Sequence, residues 1–170
     1  MIYLAKELYF FLLIELLAVG WLDFKQKKIL NIWPLLNIAI FIMNIIFFRD
    51  LYTLSWGLFY YPLIFFIVGF AFFLIKIMGG GDSKFLVSIF ILIPQYFHEN
   101  FFICLLYVTI IVGSIQFFYN AFSGRKLIFD FLKYKDTKYL KKCFGKKFPF
   151  APLIFLSWII FGMNNIGHIK

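Results

Sequence analysis

Two aspartates, Asp23 and Asp82, lie at the ends of apolar stretches of the sequence. Asp23 follows the first stretch and Asp82 precedes the fourth, so both return to the same face when every stretch crosses a membrane. Paired carboxylates at close range share one proton, because two like charges do not both ionise cheaply. One can then act as a general base toward water while its protonated partner polarises a carbonyl. The pair predicts aspartic peptide hydrolysis at the edge of a membrane.

Three consecutive glycines, Gly79, Gly80 and Gly81, stand directly before Asp82. They remove side chains where a peptide backbone would approach, and they allow the dihedral angles of a hinge. Each aspartate also has a structural explanation: Asp82 can cap a helix after a glycine turn, and Asp23 can be a charge at the boundary of a span. The return of both to one face favours the catalytic explanation.

The composition requires an apolar environment. Of the 170 residues, 64% are hydrophobic and 15% are charged, whereas a soluble domain has about 45–50% and about 25%. A chain of this length cannot hide so much apolar surface in one core. The two cysteines form neither a disulfide framework nor a Cys-x-x-Cys zinc pattern. These features exclude a water-soluble globule and a disordered chain, and we expect no structural metal.

Six apolar stretches predict membrane-spanning helices, since about 20 residues cross about 30 Å of hydrocarbon. The fourth is short and contains Pro94, so we expect it to be tilted, broken or only partly inserted. The predicted fold is an all-α polytopic bundle formed by residues 1–170 as a single domain. The predicted spans are 3–22, 32–48, 55–77, 84–97, 101–121 and 150–166.

The basic residues predict the orientation of these spans. Fourteen of the 17 Lys and Arg residues lie in the connecting segments 23–31, 76–84 and 123–148. Cytoplasmic loops carry an excess of Lys and Arg, so these segments, including the basic loop 123–148, are expected in the cytoplasm and both termini outside it. The net charge of +9 is thereby attributed to topology rather than to nucleic-acid binding. Apolar residues within 123–148 also permit a helix lying on anionic lipid.

Polar residues also lie inside the predicted spans. For the Asn and Gln residues we expect hydrogen bonds between helices, each contributing about 1 kcal/mol. Glu15, in the middle of the first span, has no assigned role; a transporter would place such an acid near the midplane. The residues are Glu15, Asn37, Asn44, Gln116 and Asn120.

Several motifs accompany the aspartates. Asp23 is followed by Lys28-Ile29-Leu30-Asn31, Asp82 belongs to Gly79-Gly80-Gly81-Asp82-Ser83-Lys84, and Phe148-Pro149-Phe150-Ala151-Pro152 opens the last span. In this order and spacing, the motifs resemble the type IV prepilin peptidase family, the GxGD aspartic proteases of membranes. The resemblance extends over essentially the whole chain.

The resemblance implies that Asp23 and Asp82 are the catalytic pair. It also implies that the substrates are prepilins or prepilin-like proteins, cut after a glycine between a short basic leader and a hydrophobic helix. The chain resembles the compact, peptidase-only members found with tight-adherence (Flp-type) pili and in archaea. It lacks the cysteine pairs of members that also methylate their product, so methyl transfer is not expected. No metal and no cofactor are implied.

Two positions depart from the family pattern, and others support the aspartates. Leu30 replaces a usual proline, which loosens the turn, and Ala151 replaces a frequent glycine. Lys84 is expected either to favour ionisation of the pair, to meet an acidic substrate group, or to act only as a topological anchor. The remaining supporting assignments are Gly79, Gly80 and Gly81 shaping the cleft, Asn31 capping the second span, and Pro149 and Pro152 closing the site.

The sequence therefore predicts a multi-pass aspartic endopeptidase of the cell membrane whose partners are a prepilin substrate and membrane lipid. His98 and His168 are expected at the extracytoplasmic rim, far from both aspartates. The alternative is a non-catalytic membrane component, such as a small transporter or an assembly subunit of a secretion or pilus machine. In that case Asp23 and Asp82 would be ion-binding or structural residues.

Overall fold

A computed structural model describes residues 4–26, 28–47, 52, 54–74, 78–125, 129 and 150–169. Within these ranges the chain is helical without strands, apart from an isolated bridge between Leu4 and Ile169, which confirms the all-α class. Most of the basic loop 123–148 and all of Pro149 lie outside the described residues.

The described helices are α1 (Lys6–Gln26), α2 (Ile32–Phe47), α3 (Trp56–Leu74), α4 (Gly80–Leu92), α5 (His98–Ser123) and α6 (Ala151–Asn164), with short 3₁₀ turns at Gln95–Phe97 and Ile166–His168.

The fourth helix differs most from its predicted span. It was predicted over 84–97, but it begins at Gly80 and ends at Leu92. It begins earlier because the Asp82 carboxylate accepts a hydrogen bond from the Gly79 N–H and stabilises the first turn. It ends before Pro94, whose ring cannot continue a helix. A 3₁₀ turn then leads directly into α5 at His98.

α1 and α6 pack antiparallel to each other. Near one end, Asp23 of α1 contacts Ala151 of α6. Further along, the Trp158 indole N–H donates to the carbonyl oxygen of Tyr9 over 3.1 Å. At the other end, the Leu4 N–H donates to the carbonyl oxygen of His168 over 2.8 Å. The first and last described residues therefore lie together, at the end of the bundle opposite to Asp23.

The six helices form two groups of three, each around a short inner helix. α4 packs between α2 and α3, and α6 packs between α1 and α5. The Phe65 ring of α3 stacks on Phe90 of α4 at 4.5 Å, and Phe101 of α5 meets Trp158 of α6 edge-on at 5.3 Å. Phe90 also contacts Phe101 at 5.2 Å, which joins the two groups. Aromatic packing thus forms the centre of the fold.

Two stretches are long and apolar enough to cross a membrane among the described residues: Trp56–Leu74, of 19 residues, and Gln95–Ser123, of 29 residues. α2 and α6 are apolar but shorter. The two long stretches expose large apolar side chains on their outer faces, as surfaces that contact a membrane or a partner protein do. Examples are Leu63, Phe66, Ile67, Phe70, Ile110, Ile111, Ile115 and Phe118.

A buried polar cluster connects α1, α2 and α4. The Asn37 amide donates to the Ser88 hydroxyl over 3.1 Å, which confirms the hydrogen bond between helices predicted for Asn37. The Glu15 side chain is 3% exposed and lies beside Asn37 without a hydrogen bond of standard geometry. Asn44 instead donates to the hydroxyl of Tyr52, in the α2–α3 connection, over 3.4 Å. The cluster links the two helices that carry the aspartates.

Replacing Trp158 by alanine should strongly destabilise the bundle. Its side chain is fully buried and stacks on Tyr9 and Phe161, so Trp158→Ala should lower the free energy of unfolding by about 3–5 kcal/mol. The matched control is Trp56→Ala, because Trp56 is 93% exposed, and it should change stability by less than about 0.5 kcal/mol. Denaturant unfolding of the purified protein in detergent measures both. Equal losses would contradict the packing described.

Candidate functional site

Asp23 lies in the last turn of α1 and is 3% exposed. Its Oδ2 accepts a hydrogen bond from the backbone N–H of Ala151 over 3.1 Å. Ala151 is the first residue of α6, and no side chain of α6 itself caps that helix. The first N–H groups of a helix have no partner inside it and form the positive end of its dipole. The carboxylate of one helix therefore caps the start of another.

The neighbouring residues hold the start of α6 against α1. Gly20 of α1 lies one turn before Asp23, and a Cβ atom there would lie 3.7 Å from Pro152, an ordinary packing distance. Pro152 lies in the first turn of α6, where its missing N–H costs nothing because that group would have no intrahelical partner. This places Pro152, one of the predicted supporting residues, against the helix that carries Asp23.

Asp82 lies in the first turn of α4 and is half-buried. Its Oδ2 accepts the N–H of Gly79 over 3.0 Å, so Asp82 stabilises the start of α4 from within the first turn. The capping explanation expects Asp82 itself at the N-cap, whereas the N-cap residue is Gly79. A carboxylate offers about four lone-pair sites, which leaves capacity for a further partner. The cap therefore does not exclude a chemical role for Asp82.

The glycines before Asp82 serve close packing. A Cβ atom on Gly81 would lie 2.6 Å from the carbonyl oxygen of Ile29, so only glycine allows the α1–α2 connection to approach α4 here. Gly80 lies under the ring of Phe73, and Gly79 adopts an extended conformation that any residue can take. The motif after Asp23 thus packs on the motif that contains Asp82.

Both aspartates lie at the same end of the bundle, around the start of α6. The Ala151 N–H is bonded to Asp23, and the preceding residue, Phe150, lines the same cavity as Asp82. Asp23 ends its helix and Asp82 begins its own, and the α1–α2 connection joins them through Ile29 and Gly81. The sequence analysis did not identify the Ala151 N–H as the hydrogen-bond partner of Asp23. The available signal was that the last helix starts without a capping side chain.

The cavity beside Asp82 has a volume of about 550 Å³, within the range of about 300–1,000 Å³ usual for ligand pockets. It lies between α3, α4, α5 and α6, with Asp82 and Phe150 among its lining residues. Its polar lining residues are Asp82, Ser83 and Thr109, and most of the others are apolar. Asp82 therefore borders a large apolar space.

The other predicted supporting residues lie at the surface. Lys84 is exposed on α4 and is not among the residues that line the cavity. Asn31 is exposed before α2, and its carbonyl oxygen accepts the N–H of Leu35 over 3.4 Å. The roles predicted for Lys84 and Asn31 stay predictions.

His98, which was expected at the rim and far from both aspartates, is buried within the bundle. It is 1% exposed, and its Nε2 lies 2.8 Å from the carbonyl oxygen of Ile93. Its ring packs edge-on against Tyr61 and Phe90, each at 5.6 Å. Because the chain turns sharply at the end of α4, His98, the first residue of α5, is buried beside the Tyr61 and Phe90 rings. His98 follows the far end of α4, away from Asp82, and holds the turn together.

Comparisons with models of known protein families, with curated proteins and with solved structures found no match. The resemblance to the type IV prepilin peptidases therefore rests on the motif residues of the sequence. Among the described residues, no three His, Cys, Asp or Glu side chains are grouped so that they could hold a metal ion.

Two neighbouring glycine substitutions should have opposite effects on stability. Gly81→Ala should lower the free energy of unfolding by about 1–3 kcal/mol, because the new Cβ atom displaces Ile29 and overpacks the contact. Gly80→Ala meets only the movable Phe73 ring, at 3.4 Å, and should be neutral or gain up to about 1 kcal/mol from helix propensity. Thermal unfolding in detergent compares the two. Equal stabilities would show that the α1–α2 connection does not rest on α4.

Proposed function

We propose that this protein is a multi-pass aspartic endopeptidase of the cell membrane, with Asp23 and Asp82 as its catalytic pair. The observation that carries the proposal is the arrangement at the start of α6, where the partner of one carboxylate, Ala151, directly follows a residue lining the cavity of the other. Two acids that are distant in sequence thus belong to one small region. The substrate class, prepilins or prepilin-like proteins, comes from the motif resemblance.

The chemistry requires one ionised and one protonated carboxyl group. The ionised group takes a proton from a water molecule as the water oxygen attacks the scissile carbonyl carbon. The protonated group gives its proton to the carbonyl oxygen, which forms a tetrahedral diol. When the diol collapses, the C–N bond breaks, the first group gives its proton to the leaving amine nitrogen, and the second group takes a proton back from one diol hydroxyl, which becomes the carbonyl of the new carboxyl group. Each carboxyl group thereby returns to its starting state, with one water consumed.

The hydrogen bond at Ala151 suits Asp23 to the role of base. The Ala151 N–H donates to Oδ2 and fixes the position of that oxygen. Oδ1 is then the oxygen that receives the proton from water. Asp82 is more exposed and borders the apolar cavity, so it suits the role of acid toward a bound carbonyl.

The proposed orientation places both aspartates at the cytoplasmic face. The connecting segments 23–31 and 76–84, which contain the two aspartates, are basic, as cytoplasmic loops are. The first and last described residues lie at the opposite end of the bundle, which supports termini outside the cytoplasm. The exposed apolar outer faces of α3 and α5 support six helices in a lipid environment, with the short α4 and α6 inside.

The alternative is a non-catalytic membrane component, and Glu15 is the residue that favours it. Its carboxyl group is almost fully buried beside Asn37, as an ion-coupling acid inside a transporter would be. That function predicts that Glu15→Gln abolishes activity in cells and that the unmodified protein cleaves no prepilin. The protease proposal predicts that Glu15→Gln still cleaves a prepilin, whereas Asp23→Asn and Asp82→Asn do not.

The decisive experiment incubates membranes containing the protein with a candidate prepilin and locates any cut by mass spectrometry. Asp23→Asn and Asp82→Asn keep the size of each side chain but remove its ability to exchange a proton. Each should lower the cleavage rate by at least about 100-fold. The matched control is Glu99→Gln, since Glu99 is exposed at the other end of the bundle, and it should cleave normally. Full processing by either aspartate variant would refute the assignment.

A further inference from the structure

The carboxyl group of Glu15 is buried in the middle of α1 and lacks a hydrogen-bond partner. Glu15 is 3% exposed, and neither of its oxygens is bonded among the described residues. It lies beside Asn37 of α2, which is fully buried and whose Oδ1 is also unbonded there. Three acceptor oxygens on two neighbouring side chains are therefore buried without a donor, an arrangement that destabilises a protein.

The Ser88 hydroxyl fixes the orientation of the Asn37 amide. This hydroxyl donates its proton to the carbonyl oxygen of Phe85 over 2.7 Å, so its oxygen can only accept a hydrogen bond from Asn37. Nδ2 of the amide therefore faces Ser88, at 3.1 Å, and Oδ1 is directed away from Ser88. An ionised carboxylate only accepts hydrogen bonds and cannot serve this Oδ1, whereas a protonated carboxyl group carries a hydroxyl that can.

The described helices around Glu15 offer no cation to neutralise an ionised carboxylate. α2 and α6 contain no charged residue. The basic residues of α1, Lys6 and Lys25, lie at the two ends of the helix, nine and ten residues from Glu15, which is about 14 and 15 Å along its axis. Lys84 of α4 is exposed. An ionised carboxylate without a counter-charge is costly to bury, so such a group takes up a proton instead.

We propose that Glu15 holds a proton and forms a two-point pair with the Asn37 amide. The Glu15 hydroxyl donates to Asn37 Oδ1, and the second hydrogen of Asn37 Nδ2 donates to the Glu15 carbonyl oxygen. The first Nδ2 hydrogen stays bonded to Ser88. One proton thereby gives a partner to each of the three unbonded oxygens, and no charge is left in the interior.

The pair makes Glu15 a positioning residue for the two aspartates. Glu15 shares α1 with Asp23. Ser88 lies on α4, six residues after Asp82 and about 9 Å from it along the helix axis. The contacts from Glu15 through Asn37 to Ser88 thus join the two helices that carry the aspartates. The pair itself goes beyond the proposed function, whereas its effect on catalysis rests on that function.

Infrared spectroscopy tests the proton directly. The chain has three glutamates, and the other two, Glu7 and Glu99, are exposed. Protein purified in detergent with isotope-labelled glutamate should show, near neutral pH, a shifted C=O band of a protonated carboxyl group. Glu15→Gln should remove this band, whereas the matched control Glu7→Gln should keep it. Carboxylate bands alone from the labelled glutamates would overturn the proposal.

Cleavage of a candidate prepilin tests the positioning role. Glu15→Gln keeps the pair, because its amide can donate to Asn37 Oδ1 and accept from Nδ2, so it should cleave at close to the unmodified rate. Glu15→Leu leaves Oδ1 without a donor and should lower kcat by at least about tenfold with little change in KM, because the aspartates lose their alignment.

The outcomes separate the pair from the protease. Equal kcat values for Glu15→Gln and Glu15→Leu would overturn the positioning role. If the unmodified protein cleaves no prepilin, the proposed function fails, while the infrared band still decides whether Glu15 holds its proton.

Discussion

The hydrogen bond from the Ala151 N–H to Asp23 joins the last helix of the bundle to the first. It fixes where α6 begins relative to the end of α1, and Pro152 packs on Gly20 beside it. Phe150 immediately precedes Ala151 and lines the cavity beside Asp82. The bond therefore also determines where Phe150 closes that cavity. The relative position of the two aspartates therefore depends on the start of one short helix.

The short inner helices explain why the candidate site lies near one end of the bundle. α4 has 13 residues and α6 has 14, so each is about 20 Å long, less than the hydrocarbon thickness of about 30 Å. Both begin at the end where the aspartates lie. Each carboxylate thus accepts a hydrogen bond from a backbone N–H at the start of a short helix, Asp23 from Ala151 and Asp82 from Gly79.

The buried polar cluster around Glu15 has a different physical role. Glu15 lies eight residues before Asp23 on α1, about 12 Å along the helix axis, and it faces Asn37 rather than the cavity. Asn37 in turn bonds Ser88 on α4. In an apolar environment such polar contacts help to select which helix faces meet, because apolar faces pack against lipid about as well as against each other. The bond between Asn37 and Ser88 thereby helps to set the register of α4, which carries Asp82, against α2.

The sequence by itself determined the helices, because their formation depends on local hydrogen bonds and on the length of apolar stretches. It also indicated that Asp82 would stand at the start of the fourth helix, although α4 begins four residues earlier than predicted and Asp82 therefore lies in its first turn. Only the tertiary structure decided that Asp23 would cap α6, that Ile29 would rest on Gly81, and that His98 would be buried. These contacts join residues far apart in the chain, and no local rule selects which faces of apolar helices meet. For the same reason, the cavity beside Asp82 became visible only when four helices were packed together.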